Sequence, residues 1–88
     1  MKLRINASTP VLRRYLDVDE AGVTYCETAA LGGVRHIAYA DIDGVVRDHT
    51  SVAIQIGLQI YKLPYKRDNR EHTQAITMLV EGCRRTMA

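Results

Sequence analysis

Hydrophobic residues recur at helical spacing near the C-terminal end of the chain, from Asp68 to Met87. On a helical wheel they form one stripe, and the charged and amide side chains fall mostly away from it. The pattern predicts one amphipathic helix over 68–87 that lies across an apolar surface. The stripe consists of His72, Ala75, Ile76, Leu79, Val80, Cys83 and Met87.

The start of this helix carries capping signals. Asp68 or Asn69 can accept hydrogen bonds from the amides of the first turn, and Asp68 with Glu71 has the spacing of a capping box. Gly82 is the least favourable residue for a helix in this segment. We expect either a close backbone approach at Gly82 or fraying of the helix there.

The stretch 11–64 alternates between apolar and polar positions in short runs separated by turn residues. This spacing predicts an antiparallel meander, because no helix intervenes between the runs. Ile42 lies in the polar connection from Ala40 to Gly44, where we expect it to plug the core. The predicted strands are Val11–Val18, Val23–Ala30, Val34–Tyr39, Val45–Asp48, Val52–Ile56 and Leu58–Leu63.

Residues 1–10 form an extended arm or an edge strand, with Leu3 and Ile5 on one side and Pro10 as a strand breaker. Such a strand can pair within its own chain or add to a second copy. We favour pairing with a second copy, so Leu3 and Ile5 are the predicted oligomer edge. Residues 1–88 are expected to form one α+β, mostly β domain. It is a curled antiparallel sheet, or partly open barrel, of six or seven strands capped by one C-terminal helix.

Two segments, Leu16–Tyr25 and Arg35–Val45, carry a family resemblance. The second is similar to a family pattern of a basic residue, X, Ile, X, an aromatic, a small residue, Asp, Ile, X, X and Val. With the terminal helix, the chain from Val11 to Arg85 resembles the small bacterial pleckstrin-homology-like (PH-like) domains. The resemblance implies a non-catalytic binding module. Relatives in the same superfold bind peptides between the last helix and a neighbouring strand, and some bacterial members resemble oligomer-forming modules.

Eukaryotic PH domains often bind phosphoinositides through a basic cluster at the first hairpin. In this sequence the first hairpin predicted within the stretch 11–64 turns through Asp19 and Glu20, which are acidic. Membrane lipid binding is therefore not expected.

Composition narrows the location and the partners. The net charge is only +2, with twelve basic residues scattered among ten acidic ones, so nucleic-acid binding is not implied. Residues 1–10 lack the apolar region of a signal peptide, and no apolar run reaches the length of a membrane span. Cys26 and Cys83 are expected as buried hydrophobes in a reducing cytosol, with a Cys26–Cys83 bridge as the alternative. We therefore expect a cytoplasmic protein.

Catalytic and metal-binding signals are weak. Ser8, Ser51 and Cys26 lack a local nucleophile signature, so we predict no enzyme activity and no catalytic residue. The stretch Asp41–Gly44 lacks the further oxygens and the late Glu of a calcium loop, and the histidines have no metal-ligand spacing. No metal site and no cofactor are predicted.

One basic and aromatic cluster is a candidate partner-binding site, for a phosphate or a peptide carboxylate, although it also reads as a solvated connection. The predicted function is a protein-interaction module that self-associates. A module that binds lipid or a small anionic ligand is the alternative. The cluster consists of Tyr61, Tyr65, Lys66, Arg67 and Arg70.

Overall fold

The computed structural model of the chain describes residues 1–27 and 33–87. These residues form seven β-strands and one C-terminal α-helix, as the α+β prediction requires. The predicted strand Val23–Ala30 is observed up to Glu27, and the rest of it lies outside the described residues. The elements are β1 (Leu3–Asn6), β2 (Arg14–Val18), β3 (Gly22–Glu27), β4 (Val34–Ala38), a short 3-10 helix (Tyr39–Asp41), β5 (Gly44–Arg47), β6 (Ser51–Ile56), β7 (Gln59–Pro64) and α1 (Arg70–Met87).

The strands belong to two antiparallel sheets and not to a single curled sheet. β1 to β4 pair in chain order in one sheet, and β5 to β7 pair in chain order in the other. The short 3-10 helix separates the two sheets. The Ile42 amide donates to the Tyr39 carbonyl at 3.1 Å and closes a turn there, which interrupts pairing between β4 and β5. Ile42 is buried, so its predicted role as an apolar plug is confirmed.

Alternate residues of each strand meet in one core, together with one face of α1. Strand alternation supplies the pattern, since successive side chains of a strand point to opposite faces. Ile37 of β4 and Tyr39 of the 3-10 helix are both buried in this core. The fully buried side chains of largest volume are Ile5, Leu16, Val18, Val52, Ile54, Leu63, Ile76 and Leu79.

The N-terminal segment pairs within its own chain. Ile5 lies opposite Leu16 and Leu3 opposite Val18, and Ile5 is completely buried. This is the alternative that the sequence left open for the segment, and the oligomer edge at Leu3 and Ile5 stays a prediction. The physical reason for the pairing within the chain is the alternation of apolar and polar residues in β1. By pairing with β2, the apolar side of β1 gains a place in the core.

The second strand begins at Arg14 and not at Val11. Thr9 and Leu12 exchange backbone hydrogen bonds in a tight turn, which ends β1 and leaves Val11 exposed. The first hairpin is therefore β1–β2, and the acidic turn at Asp19 and Glu20 closes the second. The first hairpin is thus not the acidic one expected from the sequence, and its connection carries the basic residue Arg13.

The helix begins at Arg70, two residues later than predicted. Asn69 is the cap, since its Oδ1 accepts the His72 amide at 3.1 Å. Glu71 does not complete a capping box with Asp68. Its carboxylate instead accepts the Arg4 amide at 2.9 Å, which ties the helix to the outer edge of β1.

Most of the predicted apolar stripe faces the core, with His72, Ala75, Ile76, Leu79 and Cys83 buried. Val80 is the exception, at 37% exposed. α1 packs mainly against β1 and the 3-10 helix, so the buried arc of the helix excludes Val80. The Met87 side chain lies outside the described residues.

The two cysteines are free, with Cys26 on β3 and Cys83 on α1, and they lie on opposite sides of the first sheet. Cys26 pairs with Tyr15 and Val34 on the face away from the core, whereas Cys83 belongs to the core cluster. A Cys26–Cys83 bridge is incompatible with this placement, although both side chains are buried as predicted.

Candidate functional site

The predicted partner-binding cluster is divided by the structure. Tyr61 packs against Tyr25, with ring centroids 5.0 Å apart, and its hydroxyl accepts a hydrogen bond from Arg35. Tyr65 lies about 13 Å further along the strand direction. It is buried, and its hydroxyl donates to the Asp48 carbonyl at 2.7 Å. Tyr61 and Tyr65 therefore lie in different environments and do not form one binding surface.

The link between β7 and α1 is held by His72. The Lys66 amide donates to Nδ1 of His72 at 3.0 Å, and burial lowers the pKa of this imidazole. The Lys66, Arg67 and Arg70 side chains remain exposed. Of the predicted cluster, Tyr65 and Arg67 line a common depression.

This depression, the basic depression hereafter, lies between the β5–β6 turn and the start of α1. Its volume is about 430 Å³. Arg67 Nη1 lies 3.3 Å from His49 Nδ1. Because a guanidinium only donates, Nδ1 is the acceptor and His49 carries its proton on Nε2. The depression is lined by Arg47, Asp48, His49, Tyr65, Arg67 and Thr73.

Asp48 directs its carboxylate into its own turn. It accepts the amides of Thr50 at 2.8 Å and Ser51 at 2.7 Å, and also the Ser51 hydroxyl. These hydrogen bonds, led by those from the backbone amides of Thr50 and then Ser51, lower the pKa of Asp48 to about 2. Among residues 1–27 and 33–87, neither Arg47 nor Arg67 has a carboxylate within 4 Å.

A second feature is the free edge of β5. The Asp48 amide donates to the Ser51 carbonyl at 3.0 Å, so residues 44, 46 and 48 direct their backbone groups toward β6. By the alternation of an antiparallel ladder, the amides and carbonyls of Val45 and Arg47 point away from the sheet. β5 is an outer strand of its sheet, and among residues 1–27 and 33–87 no other strand pairs with these groups, so they form its open edge.

The other sheet edges carry protection that β5 lacks within the described part of the chain. The outward Arg4 amide of β1 is bound by Glu71, and the outward Lys62 carbonyl of β7 accepts the Arg14 guanidinium. β7 also ends in Pro64, which has no amide hydrogen. On β4 the edge carries Arg35 and His36. Charges, proline and covering groups are the usual protection of an edge strand.

β5, by contrast, has the sequence Gly-Val-Val-Arg, with one charge at its end. Val46 projects from the outer face of this strand and is 67% exposed. Beside the opposite face of β5 lies an apolar groove of about 480 Å³ between β5 and α1. Its apolar lining comes from Ile42, Val45, Val80 and Cys83, and its rim from Asp43, Gly44 and Arg84.

Sequence reasoning missed both places for related reasons. Val80 was assigned to the core because periodicity does not tell which edge of an apolar stripe stays uncovered. Arg47 and His49 were not joined to Arg67 because they belong to another hairpin. The sequence signal that could have indicated the basic depression is a turn flanked by basic residues, with Arg47 and His49 on either side of Asp48.

Within the described part of the chain, no group of three His, Cys, Asp or Glu side chains is arranged to hold a metal ion. Burial raises the pKa of the Cys83 thiol, which disfavours the nucleophilic thiolate. In the same residues, no helix has both the length and the apolar character needed to cross a bilayer.

Comparison with known proteins gives no match: no family model, no curated protein and no solved structure is significantly similar to this chain.

Proposed function

We propose that this protein is a cytoplasmic, non-catalytic protein-interaction module of the PH-like kind, and that it self-associates along β5. The order of elements supports the family proposal. Seven antiparallel strands followed by one C-terminal helix are what the resemblance implies. The interaction is strand addition, in which main-chain hydrogen bonds provide the contact.

The open edge of β5 is the observation that carries the proposal. An antiparallel pair of β5 strands centred on Val46 places Val45 of each copy opposite Arg47 of the other. The outward amides and carbonyls of both residues then find partners. No like charges face each other in this register, and a twofold axis closes the assembly at two copies.

Side chains on both faces of β5 favour the same contact. The exposed Val46 meets the Val46 of the second copy, which removes apolar surface from water. On the other face, the groove lined by Val45 and Val80 offers apolar surface to side chains of the added strand. Because β5 is short, we expect a weak dimer with a dissociation constant in the micromolar range.

Light scattering and sedimentation on the full chain test this proposal. We expect a concentration-dependent dimer that Val46→Lys abolishes, since it places two ammonium groups at the twofold axis. Ile60→Lys is the matched control, because Ile60 lies on the same outer face of the same sheet, on β7, and is 66% exposed. This variant is expected to dimerise like the unmodified protein.

Two results would overturn the proposal. One is a monomeric mass for the unmodified chain throughout the micromolar range. The other is a dimer that Val46→Lys leaves intact while the variant keeps its fold by circular dichroism, since the contact must then lie elsewhere.

A further inference from the structure

The basic depression gathers positively charged and nitrogen-donor side chains that the proposed self-association does not use. Arg47 comes from the end of β5, His49 from the β5–β6 turn and Arg67 from the segment before α1. Three elements thus bring nitrogen donors to one concave surface. Within the described residues, neither arginine has a carboxylate partner.

We propose that the depression lined by Arg47, His49 and Arg67 binds the phosphate group of a phosphate monoester. A guanidinium offers five donors in a planar fork that matches two phosphate oxygens, and here two such forks line one depression. His49 adds the Nε2 hydrogen that its contact with Arg67 leaves available.

The surroundings hold these donors without competing for the ligand. Tyr65 is buried behind the turn and donates to the Asp48 carbonyl, which fixes the backbone next to His49. The Asp48 carboxylate is occupied by the amides and hydroxyls of Thr50 and Ser51. The Thr73 hydroxyl donates within the first turn of α1. The free donors are therefore those of the two arginines and His49.

An anion that is merely attracted by net charge would bind anywhere on a surface this mixed. A phosphate monoester differs from chloride in carrying two charges and several acceptor oxygens at fixed spacing. Its recognition should therefore be saturable and should depend on both arginines. The phosphate could be carried by a free ester or by a lipid headgroup, since the chemistry of the contact is the same.

Titration of the full chain with inorganic phosphate, followed by heteronuclear NMR against sodium chloride of equal ionic strength, is the first arm. We expect saturable shifts of the His49 and Arg67 amides that chloride does not produce. Arg47→Gln and Arg67→Gln should each weaken binding roughly tenfold or more. Arg85→Gln is the matched control, as it removes the same charge from the far end of α1 and should change nothing.

The second arm uses phosphatidylcholine vesicles with and without a phosphatidylinositol phosphate. Retention that requires the phosphorylated lipid and both arginines identifies a headgroup ligand, and phosphate binding without retention identifies a free ester. Phosphate shifts that do not saturate, that chloride reproduces, or that survive both arginine variants would overturn the proposal. All variants alter exposed side chains, so a preserved NMR spectrum confirms that each one is folded.

Discussion

The ring of Tyr39 occupies the space that a side chain at residue 82 would need. A Cβ added to Gly82 would overlap the ring carbons of Tyr39, which is itself buried. The Tyr39 hydroxyl donates to the Asp19 carbonyl, and this bond fixes the ring. Of the two expectations for Gly82, the close approach is the one observed.

Gly82→Ala should therefore destabilise the protein. Helix propensity alone would favour Ala by about 1 kcal/mol. Overpacking against the ring costs about 1–3 kcal/mol and should outweigh that gain. Thermal and urea unfolding of the variant measure the net effect. In a Tyr39→Leu background, the same substitution should become neutral or stabilising, and a higher melting temperature for Gly82→Ala alone would contradict the packing described here.

Leu79 and Val80 are adjacent apolar residues of α1 with different surroundings. Leu79 is fully buried, whereas Val80 is 37% exposed in the groove beside β5. Leu79→Ala should lower the free energy of unfolding by about 2–5 kcal/mol. Val80→Ala should lower the free energy of unfolding by less than about 1 kcal/mol, because the space left by the removed methyl groups would be open to water. Equal losses in urea denaturation would show that the helix is rotated relative to this structure.

The ion pair of Arg4 and Asp17 predicts an asymmetry between its two partners. Asp17 is 5% exposed and accepts from Arg4 Nε at 2.7 Å and Nη2 at 3.0 Å. The Arg4 side chain is 39% exposed and also lies 3.9 Å above the Tyr15 ring. Arg4→Met should cost more stability than Asp17→Asn, because it leaves a buried carboxylate without its main partner.

Chemical denaturation of both single variants and of the double variant measures this asymmetry. We expect a difference between the single variants of roughly 1–2 kcal/mol, with a non-additive double variant. An equal loss for both would mean that Asp17 is hydrated in solution.

His72 predicts a pH dependence of stability. Burial lowers the pKa of His72 below its ordinary value of 6.5, so between those two pKa values the unfolded chain binds more protons than the native protein. The resulting stabilisation is complete above about pH 6.5 and is lost as the pH falls toward the folded pKa. Protonation also removes the Nδ1 acceptor of the Lys66 amide.

His72→Asn keeps an acceptor at the Nδ1 position and removes the titration. Stability measured between about pH 8 and pH 5.5 should fall more steeply for the unmodified protein than for this variant. Parallel pH profiles for both proteins would contradict a role for His72 in this range.

Patterns along the chain predicted the secondary-structure elements better than they predicted which elements contact one another. Alternation put Val52 and Ile54 on one side of their strand, helical periodicity put Ile76 and Leu79 in the middle of the apolar stripe, and all four are buried. Alternation gives Leu3 and Ile5 a common side, but no pattern along one strand shows whether it pairs with its own chain or with a second copy.

The candidate sites depended on contacts between distant segments. Arg67 meets His49 only because β7 returns beside the β5–β6 turn. The open edge of β5 follows from the separation of two sheets, which a meander pattern does not reveal. The burial of Asp17 could not be predicted from the sequence for the same reason. An acidic residue in a strand is expected to face solvent unless its arginine partner is known.

Hydrogen–deuterium exchange at two concentrations tests strand addition at β5 most directly. The Val45 and Arg47 amides point out of the sheet, so they should exchange rapidly in dilute protein and become protected in concentrated protein. The Ile60 amide, which points outward from β7, should exchange rapidly at both concentrations. Equal and rapid exchange of the Val45 and Arg47 amides at both concentrations would contradict the account.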